Sequence, residues 1–167
     1  MQVVVFGLAV SSSWGNGHAT LWRGLCAALH RRGHRVVFFE RDVPYYRRHR
    51  DLTELPGGRL VLYDDWASVV AIARAELAHR DASIVTSYCP NALEAAALTE
   101  DAHGIRVFYD LDTGVTLERI ARGEPVAYMG ARGLADYDLV LSYTGGRALD
   151  ALQQMLGARR VAPLYGS

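Results

Sequence analysis

Between residues 11 and 18 the chain reads SSSWGNGH: three hydroxyls, an indole, two glycines around an asparagine, and an imidazole where a helical pattern begins. Ordinary strand-to-helix connections need only a few residues, so this length of small, polar backbone invites a ligand. Glycines permit close backbone approach, and a helix N-terminus presents unpaired N–H groups to an anion or a polar molecule. Ser13, Trp14, Gly15, Asn16 and Gly17 are therefore candidate binding residues, with a merely flexible loop as the competing reading. His18 stands at the helix mouth, where the dipole disfavours the imidazolium and keeps a neutral base available. The other histidines occupy plainer contexts: His30, His34, His79 and His103 at helix ends or the turns after them, His49 in an arginine-rich stretch.

A second constellation is YDLDTGVT, residues 109–116, in which Asp110 and Asp112 close a strand. The pair has three chemical readings. It could ligate a metal, although no third acidic or histidine ligand stands nearby in sequence. D-x-D-T also resembles the nucleophile motif of haloacid-dehalogenase-like phosphatases, but that motif normally ends the first strand and works with a lysine. The third reading is a carboxylate that orients and charge-balances a base such as His18. Capping of the next helix by Asp112 or Thr113 is the structural alternative. Two further places fall at strand ends. Arg41 opens RDVPYYRRHR and is placed to meet an anionic or sugar substrate, while the rest of that run reads as a solvated helical face. Thr144, Gly145 and Gly146 form either an anion nest or the capped start of a closely packed helix. Gly15-Asn16-Gly17 also supplies two glycines of a dinucleotide fingerprint, with Thr20 where the third belongs and Glu40 where a ribose-binding acid would be. Nicotinamide-dinucleotide binding thus stays open as an alternative, as does a non-catalytic nucleotide- or sugar-binding module.

The elements that must position these residues alternate from end to end. Strand patterns lie at 3–10, 35–40, 59–65, 82–88, 105–112, 137–143 and 159–165. Helical patterns lie at 18–31, 66–80, 91–102, around 116–134 in two short pieces, and 144–157, with Pro90 in a first turn and Thr144 as an N-cap. In the first helix Leu21, Trp22, Leu25, Cys26 and Leu29 share a stripe, and Gly33 falls where a left-handed C-cap is wanted. Continuous apolar runs such as VVVFGLAV mark strands covered on both faces. Repeated strand–helix–strand units predict an α/β domain with a doubly wound, Rossmann-like parallel sheet and helices on both faces. Ligands of such sheets bind outside the carboxyl ends of the strands, where all the candidates gather.

The 167 residues are half apolar and 22% charged, which is enough for one globular domain with its own core. Net charge is zero, which disfavours a nucleic-acid partner that needs a basic field. No apolar run approaches a transmembrane length and no signal-peptide layout opens the chain, so the expected location is cytoplasmic. Cys26 and Cys89 suggest neither a disulfide framework nor a zinc site. All 18 basic residues are arginine, which removes the lysine of Walker-type loops and of pyridoxal enzymes.

With these residues assembled, the chain resembles the N-terminal domain of GT-B-type glycosyltransferases, in a bacterial branch related to the spore-maturation glycosyltransferases. The likeness rests on SSSWGNGHATLWRGL, RRGHRVVFFERDVPYY, YDLDTGVTL, DLVLSYTGG and ARRVAPLYGS, nearly the whole chain. One departure is Gly114, where the branch leads one to expect proline after DLDT. The resemblance implies an acceptor-side domain over 1–167, a small-molecule, glycan or protein acceptor, and a nucleotide-sugar as co-substrate held by a C-terminal donor domain absent from this chain. It implies His18 as the base, assisted by Asp112 or Asp110, with no metal or other cofactor. The PLYGS ending reads as the start of a linker, and the isolated domain is expected to fold without turning over.

Overall fold

The computed structural model describes residues 1–166. Seven strands alternate with six helices: β1 (Gln2–Gly7), α1 (Gly17–Arg31), β2 (Arg35–Arg41), α2 (Pro44–Arg47), β3 (Arg59–Tyr63), α3 (Trp66–Leu77), β4 (Ala82–Thr86), α4 (Ala92–Glu100), β5 (Ile105–Asp110), α5 (Thr113–Ala121), β6 (Leu139–Ser142), α6 (Arg147–Leu156) and β7 (Val161–Pro163). The strands form one sheet in the order β3-β2-β1-β4-β5-β6-β7, every pairing parallel. This is the expected doubly wound α/β architecture. The order reverses between β1 and β4, so a crevice opens beyond their carboxyl ends.

Strand residues alternate between two cores, as a pleated sheet requires. Val4, Phe6, Val37, Phe39, Val85 and Phe108 face a cluster built with α3, α4, α6 and the segment around Tyr128–Tyr137. Val3, Val5, Val36, Phe38, Ile84, Val107 and Tyr109 face the other way, against Trp22 and Cys26 of α1, with Leu55 and Leu164 at the margins. Trp22 is the anchor of that second layer, its indole edge-on to Phe38 (5.3 Å) and Tyr109 (5.7 Å). Gly33, at φ 75°, ends α1 in the left-handed turn its sequence position predicts, donating to the His30 carbonyl at 2.9 Å.

Several element ends differ from expectation, for identifiable reasons. The first strand stops at Gly7; Ala9 and Val10 are fully buried but lie off the sheet, because the backbone N–H groups of Val10 and Ser11 turn to the Glu40 carboxylate. The third and fifth strands stop short because Asp65 and Asp112 cap the helices that follow, accepting from Ala67 and Val115. Pro90 precedes α4 instead of lying in its first turn. Thr144 is not an N-cap: α6 begins at Arg147 behind Gly146, whose φ of 64° suits glycine. The expected second helical piece before 134 is absent; Gly123 closes α5 in a left-handed turn, and 122–137 runs as turns. The four-residue α2 was read only as a helical face. No helix among the described residues is long and apolar enough to cross a membrane.

Candidate functional site

The 8–16 loop is held from below by a carboxylate. Glu40, fully buried at the end of β2, accepts from Val10 N at 2.7 Å, Ser11 N at 2.9 Å and Ser11 Oγ at 2.5 Å. Both Glu40 oxygens are thereby engaged by the loop, and the side chain is fully buried, so it is not exposed to a ribose. A second clamp lies outside. Asp51 accepts from Ser13 Oγ at 2.5 Å and pairs with Arg23, whose Nε also donates to the Val10 carbonyl at 2.9 Å. The Arg23 and Ser13 hydrogen bonds hold the Asp51 carboxyl well below the usual carboxylate range. Trp14, 60% exposed, lies flat on His49 with ring centres 5.0 Å apart, and Tyr45 leans on the same imidazole at 5.8 Å. Gly15 takes φ 60° beneath the Tyr45 hydroxyl.

Asn16 is buried, and both ends of its side chain are hydrogen-bonded within the fold. Its Oδ1 accepts from His18 N at 3.2 Å, capping α1, and Nδ2 donates to the Ala9 carbonyl at 3.3 Å. The cap sets the backbone that presents His18. The imidazole is half-buried, edge-on to Tyr143 at 6.3 Å, in a concavity of about 310 Å³ lined by Gly17, His18, Thr20, Leu21, Tyr143 and Gly166. Burial lowers the His18 pKa from its ordinary value, and the negative charge of Asp112 partly opposes that shift. The neutral form therefore predominates at neutral pH, with a carboxylate near enough to stabilise a proton on the ring. A larger concavity of about 420 Å³ lies elsewhere, between the 124–133 turns and the end of α6, and holds none of the candidate residues.

Asp112 follows β5, which pairs with β4, the strand beside β1, so it lies at the same carboxyl edge of the sheet as the start of α1. Its neighbour Asp110 has a different environment. Asp110 is fully buried; Oδ1 accepts from Thr116 Oγ1 at 3.1 Å and from Asp112 N at 3.2 Å, while Oδ2 makes no hydrogen bond. Burial raises its pKa, against the opposing hydrogen bonds from Thr116 Oγ1 and Asp112 N–H. The two aspartates thus differ: Asp112 is half-buried and caps α5, and Asp110 is a fully buried carboxyl two residues before it. Among the described residues no three His, Cys, Asp or Glu side chains gather as a metal site.

The loop after β6 completes the rim. Thr144 N donates to Ser142 Oγ at 3.0 Å, and Ser142 Oγ meets Thr113 Oγ1 at 2.6 Å, tying this loop to the start of α5. The exposed Tyr165 side chain lays its hydroxyl against Gly145 of this loop. The structure brings His18, Gly17 and Asp112 together on one side, near the Thr144–Gly146 loop. It turns Ser13 and Trp14 toward Asp51 and His49, and Arg41 toward the Asp64 carbonyl at 3.3 Å, away from His18's concavity. Sequence reasoning missed Tyr143 and Asp51. Tyr143 was readable as the residue leaving the sixth strand at the binding edge; Asp51, in an apparently solvated run, gave no signal. Both cysteines are free and buried, their thiols pushed up to about 11 and about 12.

The arrangement is that of a parallel α/β domain with a neutral imidazole, a carboxylate and a pre-shaped glycine-rich loop on its ligand edge. No family model and no curated protein sequence matches the chain.

Proposed function

We propose that this is the acceptor-side domain of a bacterial, cytoplasmic GT-B-type glycosyltransferase, in which His18 is the general base and Asp112 its charge partner. The single observation that carries this reading is the half-buried His18 imidazole, pKa lowered, at the first turn of α1 beside Asp112 and open to a concavity. The sequence resemblance supplies the reaction class.

In the reaction, the acceptor oxygen attacks the anomeric carbon as His18 takes the hydroxyl proton. The bond from that carbon to the nucleoside diphosphate breaks, and its electron pair leaves with the phosphate. Asp112 stabilises the imidazolium formed in this step, as carboxylates do for histidine bases. The Glu40 and Asp51 clamps keep the 8–16 loop in shape without a ligand, which lowers the ordering cost of binding. The dinucleotide alternative is disfavoured by Glu40, whose oxygens are both engaged by the loop.

The test is His18→Ala in an enzyme that joins this domain to a donor-binding domain. The expected loss is about 10²–10⁴-fold in kcat with an unchanged circular-dichroism spectrum. A near-normal rate removes His18 from this role.

A further inference from the structure

His18 shares its concavity with a second aromatic ring. Tyr143 follows the last residue of β6, and its phenol stands perpendicular to the imidazole, ring centres 6.3 Å apart. The side chain is 42% exposed, yet its backbone is pinned. Tyr143 N donates to the Asp110 carbonyl at 3.0 Å, continuing the β5–β6 ladder by one residue. Around it, Ser142 Oγ donates to the Thr144 carbonyl at 2.6 Å and accepts from Thr144 N at 3.0 Å. An aromatic side chain on so firmly held a backbone has little freedom left to lose when a ligand meets it.

The rest of the wall is Gly17, Thr20 and Leu21 of α1 and Gly166 of the tail, around a volume of about 310 Å³. Three polar groups of this wall are uncommitted: the His18 ring, the Thr20 hydroxyl and the Tyr143 hydroxyl make no hydrogen bond among the described residues. None of the six described lining residues carries a fixed charge. The helix mouth is also largely spoken for. Asn16 takes His18 N with its Oδ1 and Ala19 N with its carbonyl, each at 3.2 Å, so the first turn has little left for an anion. Ligand pockets run from roughly 300 to 1,000 Å³, which puts this one at the size of a single ring.

We propose that Tyr143 is the ligand-contacting wall of this concavity, and that its ligand is a neutral, single-ring polyol held between the phenol and the first turn of α1. This rests on the acceptor-side reading above and adds to it the class of acceptor and the residue that holds it. The chemistry matches the lining. Phenol and threonine hydroxyls each donate and accept, as the hydroxyls of a polyol do, and a neutral imidazole offers one of each role. The phenol ring and Leu21 supply apolar surface for the C–H groups of such a ring.

The experiment is NMR of the 167-residue chain, following backbone amides, the His18 ring and the Trp14 indole, with wild type, Tyr143→Phe and Tyr143→Ala compared. The probes are the methyl glycosides of glucose and rhamnose, with glucose phosphate as the anionic counterpart. A glycoside should shift the His18 ring and the Gly17–Leu21 amides, and glucose phosphate should bind no tighter. Affinity should fall about fivefold in Tyr143→Phe, as for one lost hydrogen bond, and about thirtyfold in Tyr143→Ala, which also loses the ring contact. Tyr143→Phe keeps the ring, so its melting temperature should match wild type. A glycoside that shifts His18 but binds both variants as it binds wild type overturns the proposal and leaves the acceptor-side reading standing. Tighter binding of glucose phosphate at the same residues overturns the neutral class with the same consequence. Shifts confined to Trp14, or none from any probe, also overturn the proposal. The acceptor-side reading is decided separately, by the kcat of His18→Ala, which does not involve Tyr143; a normal rate there sinks that reading even where the glycoside binds as expected.

Discussion

Replacing Glu40 by Gln tests whether the ligand-edge loop is pre-shaped by one buried carboxylate. Glu40 accepts three hydrogen bonds, at 2.7, 2.9 and 2.5 Å, in a fully buried place. Hydrogen bonds to a charged acceptor contribute about 1.5–3 kcal/mol each, against about 0.5–1.5 for neutral pairs. Gln retains an oxygen for the Val10 and Ser11 N–H groups and loses only the charge assistance, about 1 kcal/mol per bond. Its amide then faces the Ser11 hydroxyl as a second donor, a mismatch of about the same size. The expected loss is about 3 kcal/mol, within the roughly 5–15 kcal/mol of a typical domain, so the variant should still fold. Urea titration followed by far-ultraviolet circular dichroism gives the difference, and hydrogen exchange at Val10 and Ser11 localises it. A cycle with Ser11→Ala should recover about 1 kcal/mol of coupling for the hydroxyl bond alone. A Glu40→Gln variant within about 0.5 kcal/mol of wild type, with unchanged exchange at both amides, would falsify the clamp.

Two titrations follow from the site. The His18 ring, followed by NMR, should titrate below its ordinary 6.5, and Asp112→Asn should lower the midpoint further because Asp112 is the group holding it up; an unmoved midpoint separates the two residues. Base catalysis should correspondingly fail as pH drops through that midpoint. Asp110 has the opposite sign. Its pKa is raised above 3.8 in the fold, so its contribution to stability is full below that value and lost as pH rises through the folded pKa. Wild type should therefore gain stability relative to Asp110→Asn as the solution is taken from pH 7 toward pH 4, and parallel urea midpoints across that range contradict the buried-carboxyl reading.

Much of the fold could be read from apolar runs alone. VVVFG and RVVFFE are strands because both faces are covered, and their alternate residues enter two different cores. The strand ends were not legible, since burial and strand conformation share one signal. Val10 is as buried as any strand residue yet sits in a loop whose N–H groups a distant carboxylate satisfies. Asp112 was legible as a cap, because a short acceptor before a helix has a local purpose. Gly146 displaced Thr144 as the residue before α6 for a reason of backbone: its φ of 64° is one that glycine adopts freely. At the site, His18 at the start of α1 and Asp112 after β5 could both be placed at the carboxyl edge of the sheet. The approach of Tyr143 depends on strand order, which no local pattern encodes.

The helix that carries His18 has a mechanical consequence. On its face of the sheet α1 is the one long helix, and Trp22 and Cys26 lock it against β1, β2 and β5 one and two turns below the imidazole. Packed interiors do not deform continuously, so α1 cannot slide without prising that layer apart. The imidazole and the carboxylate of Asp112 consequently travel as fixtures of one solid piece. A shift of the His18 backbone relative to the sheet would therefore have to carry this whole layer with it, leaving the ring's own torsions as the freedom the residue keeps.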